Sequence, residues 1–508
     1  MARRGMLVRV GLVALILGAT ACAPAVQRPT LVEAIDNPTA IEQLRRDLRG
    51  LFTDATVDHA QWAVHVYSLQ HAETLYSLNA FQLMVPASTE KLFTVAAAAA
   101  TLGWDYRYTT RILATGPVGA GGTLDGDLVV VGNGDPTINP RHPERWRAFD
   151  DWAAALSARG IRIVNGRLIG DDRAFAEPGW GAGWAWDDLQ YGYAAPVGAL
   201  QYHENAVEVT VGPGMGPGNR AIITTAPFGS GLIVDHDVVT VPESGETKIT
   251  LSRVPGTIFL GVHGTVVTGS APVTLSAAVD NPTRLYLNAL REALARHGVF
   301  VAAGTADIGE LAQPPDLSTA TELLVDRSPP LSEIADVLLK WSRNLYAETL
   351  LYSMAPVGAP ATPEGGLDTL RETLRPWSVL PDFFVPRDGS GLSRYDMVTA
   401  DSLVWLLTYM WADPALDETM RTSLPVAGVS GTLANRLEDT PAAGRVLAKT
   451  GSMTGVRTLA GYLTTLDGEP LAFAIMVNNY RVPGAEIDRR IDQALERLVA
   501  FSHRATGR

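Results

Sequence analysis

Ser88-Thr89-Glu90-Lys91 sets a hydroxyl and a primary amine three residues apart, and one helical turn would bring them side by side. A serine hydroxyl is a weak nucleophile until a neighbouring base takes its proton. A lysine amine can serve as that base once its pKa is pulled down, whereas a guanidinium stays protonated. Only four of the 41 basic side chains are lysines: Lys91, Lys248, Lys340 and Lys449. Lys449-Thr450-Gly451-Ser452 offers a cation, two hydroxyls and a glycine that permits close backbone approach, a set suited to binding a carboxylate at a strand edge. Ser342-Arg343-Asn344 supplies a hydroxyl able to relay a proton and an amide able to hold a carbonyl. Two of the patterns also have a plain structural reading, a surface lysine on a helix for the first and helix caps for the third, and K-T-G alone is a weak signal.

The elements needed to position these residues can be read from the surrounding sequence. Trp62 to Leu69 and Glu73 to Asn79 alternate as two strands of a hairpin, and the alanine-rich run Glu90 to Thr101 predicts a helix starting beside Ser88. Leu331 to Ser342, Leu345 to Met354 and Thr399 to Trp411 read as helices, so Ser342 and Asn344 fall at a helix junction. Strands are predicted at Val446 to Thr450, Thr458 to Thr465 and Leu471 to Asn478, before a closing amphipathic helix from Glu486 to Arg504. Between these ends lie short β-type runs broken by Gly/Pro turns, with helices at Arg145 to Arg159 and Pro282 to His297 and a Pro-bearing linker at 314–330. The expected architecture is α/β, one domain formed by residues 36–104 and 310–508 and interrupted by a large β-rich insertion. The insertion divides into a second domain, 105–204 with 271–309, and a small β domain at 205–270 nested inside it.

The chain has 508 residues, 19% charged and 46% hydrophobic, which excludes disordered, collagenous and coiled-coil classes. A net charge of −13 without any Lys/Arg-rich run excludes a nucleic-acid partner. The arginine-bearing start, the apolar run Val10 to Gly18 and Ala19-Thr20-Ala21 read as an export signal over residues 1–21. Cys22, the only cysteine, follows directly, so no internal disulfide forms and no cysteine-based metal site exists. Ala19 to Cys22 resembles a lipobox, which predicts a lipid anchor on Cys22 with residues 22–35 as tether. The alternative is an ordinary signal peptide with Cys22 incidental. Either way the protein is expected in the periplasm or at the cell envelope. The nine histidines show no metal-binding spacing and no glycine-rich loop has a nucleotide context, so no cofactor and no metal are expected.

Together, the order S-x-x-K, S-x-N, K-T-G is that of penicillin-recognising serine enzymes. The likeness extends to Pro86-Ala87-Ser88-Thr89-Glu90-Lys91-Leu92, Gly134-Asp135-Pro136-Thr137, Pro178-Gly179-Trp180, Ser342 through Glu348, Asp388-Gly389-Ser390-Gly391-Leu392-Ser393 and Leu459-Ala460-Gly461-Tyr462. From about Gln61 onward the sequence resembles the class C low-molecular-mass penicillin-binding proteins, the D-alanyl-D-alanine carboxypeptidase/endopeptidases. The resemblance implies a penicillin-binding/β-lactamase-like fold, no cofactor, and peptidoglycan stem peptides and β-lactams as ligands. It implies that Ser88 attacks the carbonyl of the penultimate D-Ala and that Lys91 is the base, kept neutral by burial and by the like charge of Lys449. Ser342 would protonate the leaving amine, with Lys340 or Lys91 as support, and Asn344 would hold the substrate's peptide carbonyl. Thr450 and Ser452 would bind the terminal carboxylate beside Lys449, with Gly451 allowing the approach. The backbone N–H groups of Ser88 and Ser452 would form the oxyanion hole. From the insertion, Asp188 would bind the free amine of the stem's diamino acid, while Asp388 and Ser390 would shape the cleft rim. The competing functions are a β-lactamase and a non-catalytic peptidoglycan-binding scaffold.

Overall fold

The computed structural model describes residues 38–57, 59–176 and 179–503; the export signal, Cys22, the whole tether and Pro178 lie outside them. At the centre is a five-stranded antiparallel sheet in the order Glu73–Leu78, Gln61–Ser68, Pro470–Asn478, Val456–Thr464, Val446–Met453. The middle strand Pro470–Asn478 (PLAFAIMVN) is apolar on both faces because helices cover both. One layer consists of Pro38–Phe52 and Gly484–Val499, whose buried residues join Val64, Val66, Phe473 and Ile475 in one core. The other contains Lys91–Leu102, Leu331–Trp341, Asn344–Ser353, Pro363–Leu374 and Ala400–Ala412. Lys91–Leu102 is buried from Lys91 through Ala99, and its run of alanines lets neighbouring helices approach closely from every side.

Three helices escape the sequence reading, the short Asp417–Thr422 and two longer ones. Pro38–Phe52 starts just beyond the expected tether and carries its apolar residues as a narrow stripe, Ile41, Leu44, Leu48 and Phe52. Pro363–Leu374 opens with Pro-Glu-Gly-Gly, which reads as a loop. Its proline occupies the first turn, Thr362 caps Gly365 N at 3.1 Å, and a Cβ on Gly366 would stand 2.0 Å from Leu351 O. The glycine allows two helices to touch.

The insertion is organised around a second five-stranded sheet, Thr305–Asp307, Leu168–Asp171, Leu128–Val131, Thr109–Ala114 and Thr321–Arg327. The last strand lies inside the expected linker and pairs antiparallel with Thr109–Ala114, so the insertion runs past residue 310 to Arg327. Likewise Val273–Ala278 pairs with Ala206–Gly212, which carries the nested β region past residue 270 to Ala278. Both boundaries fall late because long-range pairing cannot be read from local composition. Residues 161–169 read as one β-type run, yet they form two strands, Ile163–Val164 and Leu168–Asp171, separated by Asn165-Gly166.

Candidate active site

Ser88 sits in a 3-10 turn, Ala87–Glu90, from which the helix Lys91–Leu102 continues. Ala87 adopts φ +48°, a left-handed conformation that costs a non-glycine residue about 1–3 kcal/mol and aims the next side chain outward. The turn is clamped at Pro86 O, which accepts from Thr89 Oγ1 at 2.8 Å and Thr458 Oγ1 at 2.6 Å. Two glycines make room for it. A Cβ on Gly391 would stand 1.9 Å from Ala87 O, and one on Gly451 would stand 2.0 Å from Thr458 Oγ1 and 3.0 Å from Ser88 N.

Lys91 Nζ lies 3.0 Å from Ser88 Oγ and 2.6 Å from both Asn344 Oδ1 and Ser390 O. An amine that donates to three neighbours is held in place. Its surroundings are unusual, for Glu90, Glu348, Asp388 and Asp396 are all buried behind it. Burial pushes Lys91 down to about 8, against the opposing pull of those carboxyls. Burial likewise pushes Glu348 up to about 8 and raises Glu90 and Asp396 well above the carboxylate range. Asp388 is braced by four donors: Ser390 N, Gly391 N, Ser393 N and Trp184 Nε1, at 2.6–3.0 Å. The D-G-S-G-L-S segment therefore forms the floor of the site, closer to the chemistry than the cleft rim expected of it.

Ser342 occupies a left-handed junction, φ +57°, between Leu331–Trp341 and Asn344–Ser353. Its hydroxyl accepts from Lys449 Nζ at 2.8 Å, so the supporting amine is Lys449 and neither Lys340 nor Lys91. Lys340 turns away to pair with Asp336. Asn344 Nδ2 donates to Tyr193 O of the insertion at 2.8 Å, while its Oδ1 receives Lys91. Neither Ser342 nor Asn344 caps a helix through its side chain. The strand carrying Lys449 does not end there; it continues through Thr450-Gly451-Ser452 to Met453 and turns directly into Val456–Thr464.

Lys449 is fully buried, donates to Thr450 O at 2.7 Å, and is pushed well below the usual lysine range by burial and by the Lys91 ammonium. Burial is the largest cause lowering Lys91, and the two buried lysines repel one another as like charges. Thr450 Oγ1 meets Thr432 Oγ1 at 2.8 Å. The cleft above, about 280 Å³, is lined by Ser88, Ser342, Asn344 and Ser452 together with Asp188, Tyr193 and Arg394. Asp188 Oδ1 accepts from the Tyr193 hydroxyl at 2.6 Å. Sequence reasoning missed Tyr193 and Arg394. The second follows directly on the D-G-S-G-L-S segment, whereas only the fold brings the first to Asn344.

A buried amine against a hydroxyl, a second amine against a second hydroxyl and a glycine-opened strand edge can transfer an acyl group from an amide to serine and then to water. On this α/β fold they define a penicillin-recognising serine hydrolase. The chain belongs to the D-Ala-D-Ala carboxypeptidase 3 (S13) family, whose profile matches residues 44–500. It is 35% identical over 467 residues to the D-alanyl-D-alanine carboxypeptidase of Actinomadura sp. (strain R39), covering 90% of this chain and 84% of that protein. It is 27% identical over 423 residues to the D-alanyl-D-alanine carboxypeptidase DacB of Haemophilus influenzae, covering 81% and 84%. The crystal structure of penicillin binding protein 4 from that organism superposes with a TM-score of 0.77 at 25% identity, over 89% of this chain and 99% of that one.

Proposed function

We propose that Ser88 is the nucleophile of a D-Ala-D-Ala carboxypeptidase that also hydrolyses D-Ala–diamino acid cross-links of peptidoglycan, and that β-lactams acylate the same serine. The observation that carries this reading is the 3.0 Å approach of Lys91 Nζ to Ser88 Oγ, with the amine buried and its pKa lowered to about 8. Near neutral pH a useful fraction of Lys91 is then neutral and takes the serine proton as the hydroxyl attacks. The Ser88 N–H beside Gly451, with that of Ser452, receives the developing oxyanion; each such donor contributes about 3 kcal/mol. Lys449 holds the substrate carboxylate together with the Thr450 and Ser452 hydroxyls and keeps Ser342 oriented to protonate the leaving amine. Asn344 reaches the substrate's peptide carbonyl by exchanging its bond to Tyr193 O. Water then releases the acyl group. A penicillin-labelling experiment tests this directly: wild type gives a covalent band, Ser88→Ala gives none, and labelling of Ser88→Ala overturns the assignment.

Asp188 reads the free amine of the stem's diamino acid. Its carboxylate lines the cleft and, through Oδ1, accepts from the Tyr193 hydroxyl, and Oδ2 is the oxygen that receives the ammonium. A charge-assisted bond of about 1.5–3 kcal/mol corresponds to roughly ten- to hundredfold in specificity. Asp188→Ala should lose that factor on diamino-acid stems and leave penicillin acylation nearly unchanged. Equal losses on both would reduce Asp188 to a support for the cleft wall. At the other end of the chain, Cys22 carries the lipid that tethers the enzyme to the envelope. Cys22→Ala should move the protein from the membrane fraction to the soluble one.

A further inference from the structure

Three segments remote in sequence meet at the end of the catalytic sheet away from the cleft. His71 sits in the turn between Gln61–Ser68 and Glu73–Leu78, and Glu469 in the turn between Val456–Thr464 and Pro470–Asn478. His503 follows the terminal helix Gly484–Val499. The turns are tied by Leu69 N donating to Pro470 O at 3.0 Å. Along Val456–Thr464, this end lies five residues beyond Leu459, the partner of Thr450, which is about 17 Å of strand.

One ligand atom from each of His71, Glu469 and His503 lies within 4.8 Å of the others. Glu469 and His503 are buried and His71 is half-buried, with the two imidazole rings 4.3 Å apart. An outer shell is already built. His503 Nδ1 meets Glu469 Oε2 at 2.7 Å, and its Nε2 meets Glu73 Oε1 at 2.7 Å. Ser68 Oγ donates to the other Glu469 oxygen at 2.5 Å and also accepts from His71 N at 3.1 Å. Phe501 packs edge-on against His503.

We propose that His71, Glu469 and His503 bind a divalent transition-metal ion of the zinc class. Two imidazole nitrogens and one carboxylate are a borderline-soft set suited to zinc, whereas calcium and magnesium prefer oxygen donors throughout. The ion replaces the proton shared by His503 Nδ1 and Glu469 Oε2, and that proton leaves to solvent. Glu73 keeps accepting from Nε2–H, fixing the tautomer and aiming Nδ1, and Ser68 steadies the carboxylate. Water on the half-exposed side of His71 completes the coordination. A protonated His503 bridging Glu73 and Glu469 is the competing account. It uses three of the four side chains and leaves a second imidazole tilted against a cation, its ring centre 4.3 Å away, where a metal gives both rings a favourable role. The sequence could not show the set, because His71 and His503 stand at opposite ends of the chain.

The test is calorimetric titration of the chelator-treated full chain with zinc chloride at pH 7.5. The expected result is one ion per chain, with affinity at least tenfold weaker in His71→Ala and tenfold to a hundredfold weaker in Glu73→Gln. Zinc should raise the unfolding midpoint of wild type, and equimolar magnesium should not. An unchanged far-UV spectrum for His71→Ala separates loss of the site from loss of the fold; Glu469→Gln, which keeps the Ser68 bond, serves if that variant misfolds. Absence of saturable one-to-one binding, or equal affinity in wild type and the ligand variant, overturns the proposal and leaves a proton-bridged clasp.

Discussion

Lys91→Arg is expected to abolish both penicillin acylation and D-Ala release while leaving the fold intact. The guanidinium keeps a positive charge among Glu90, Glu348, Asp388 and Asp396, so the buried carboxyls retain their counter-charge. What it cannot supply is a neutral nitrogen 3.0 Å from Ser88 Oγ. A positioned general base contributes about 10²–10⁴-fold, and a loss of roughly a thousandfold or more in the acylation rate is the expected reading. The same assignment sets the pH profile. Lys91 is active when deprotonated, so wild-type acylation should rise with pH through about 8, the value to which burial brings it. Acylation by Lys91→Arg at a comparable rate, or a wild-type limb centred near 10, would remove Lys91 as the base.

The second large effect falls on Lys449. Replacing it by alanine removes the donor to Ser342 Oγ and the cation available to a substrate carboxylate. Two charge-assisted bonds of about 1.5–3 kcal/mol each put the loss of D-Ala release at roughly 10²–10⁴-fold. Lys449→Arg should lose less, since its fork still binds a carboxylate, although in another geometry. The acylation limb of Lys449→Ala should move to higher pH, because removing the neighbouring cation lets the pKa of Lys91 rise. A limb that stays put or moves to lower pH would reduce Lys449 to anchoring the substrate.

The catalytic motifs were legible because each is local: S-x-x-K needs one turn, S-x-N one helix junction, K-T-G one strand. Their mutual geometry was not. That Ser342 faces Lys449 and not Lys340 depends on the left-handed residue between two helices, which makes Ser342 and Lys340 diverge. The acidic surroundings of Lys91 were not legible either, since the carboxyls beneath it come from three separate segments at 90, 348 and 388–396. The insertion was visible as a change of texture, but its closing strands Val273–Ala278 and Thr321–Arg327 were not, for each pairs with a partner 60 or more residues earlier. The missing helix Pro363–Leu374 shows the same limit from another side: its glycines serve a neighbouring helix, and propensity registers only the chain they belong to.

The inserted region and the catalytic region share their bonds at the site itself. Asn344 donates to Tyr193 O, Trp184 donates to Asp388, and Asn139 donates to the Tyr346 hydroxyl, all at 2.8 Å. An ancestral enzyme without the insertion would have needed other partners for these three groups. Once such partners are lost, excising residues 105–327 takes the acceptor from the Asn344 amide, one of four donors from the buried Asp388 and a donor from the Tyr346 hydroxyl. The insertion then becomes a one-way acquisition, retained in descendants whether or not its outer surface still does anything. A minimal version of this enzyme cannot be made by deletion alone; it requires those three positions to be redesigned together.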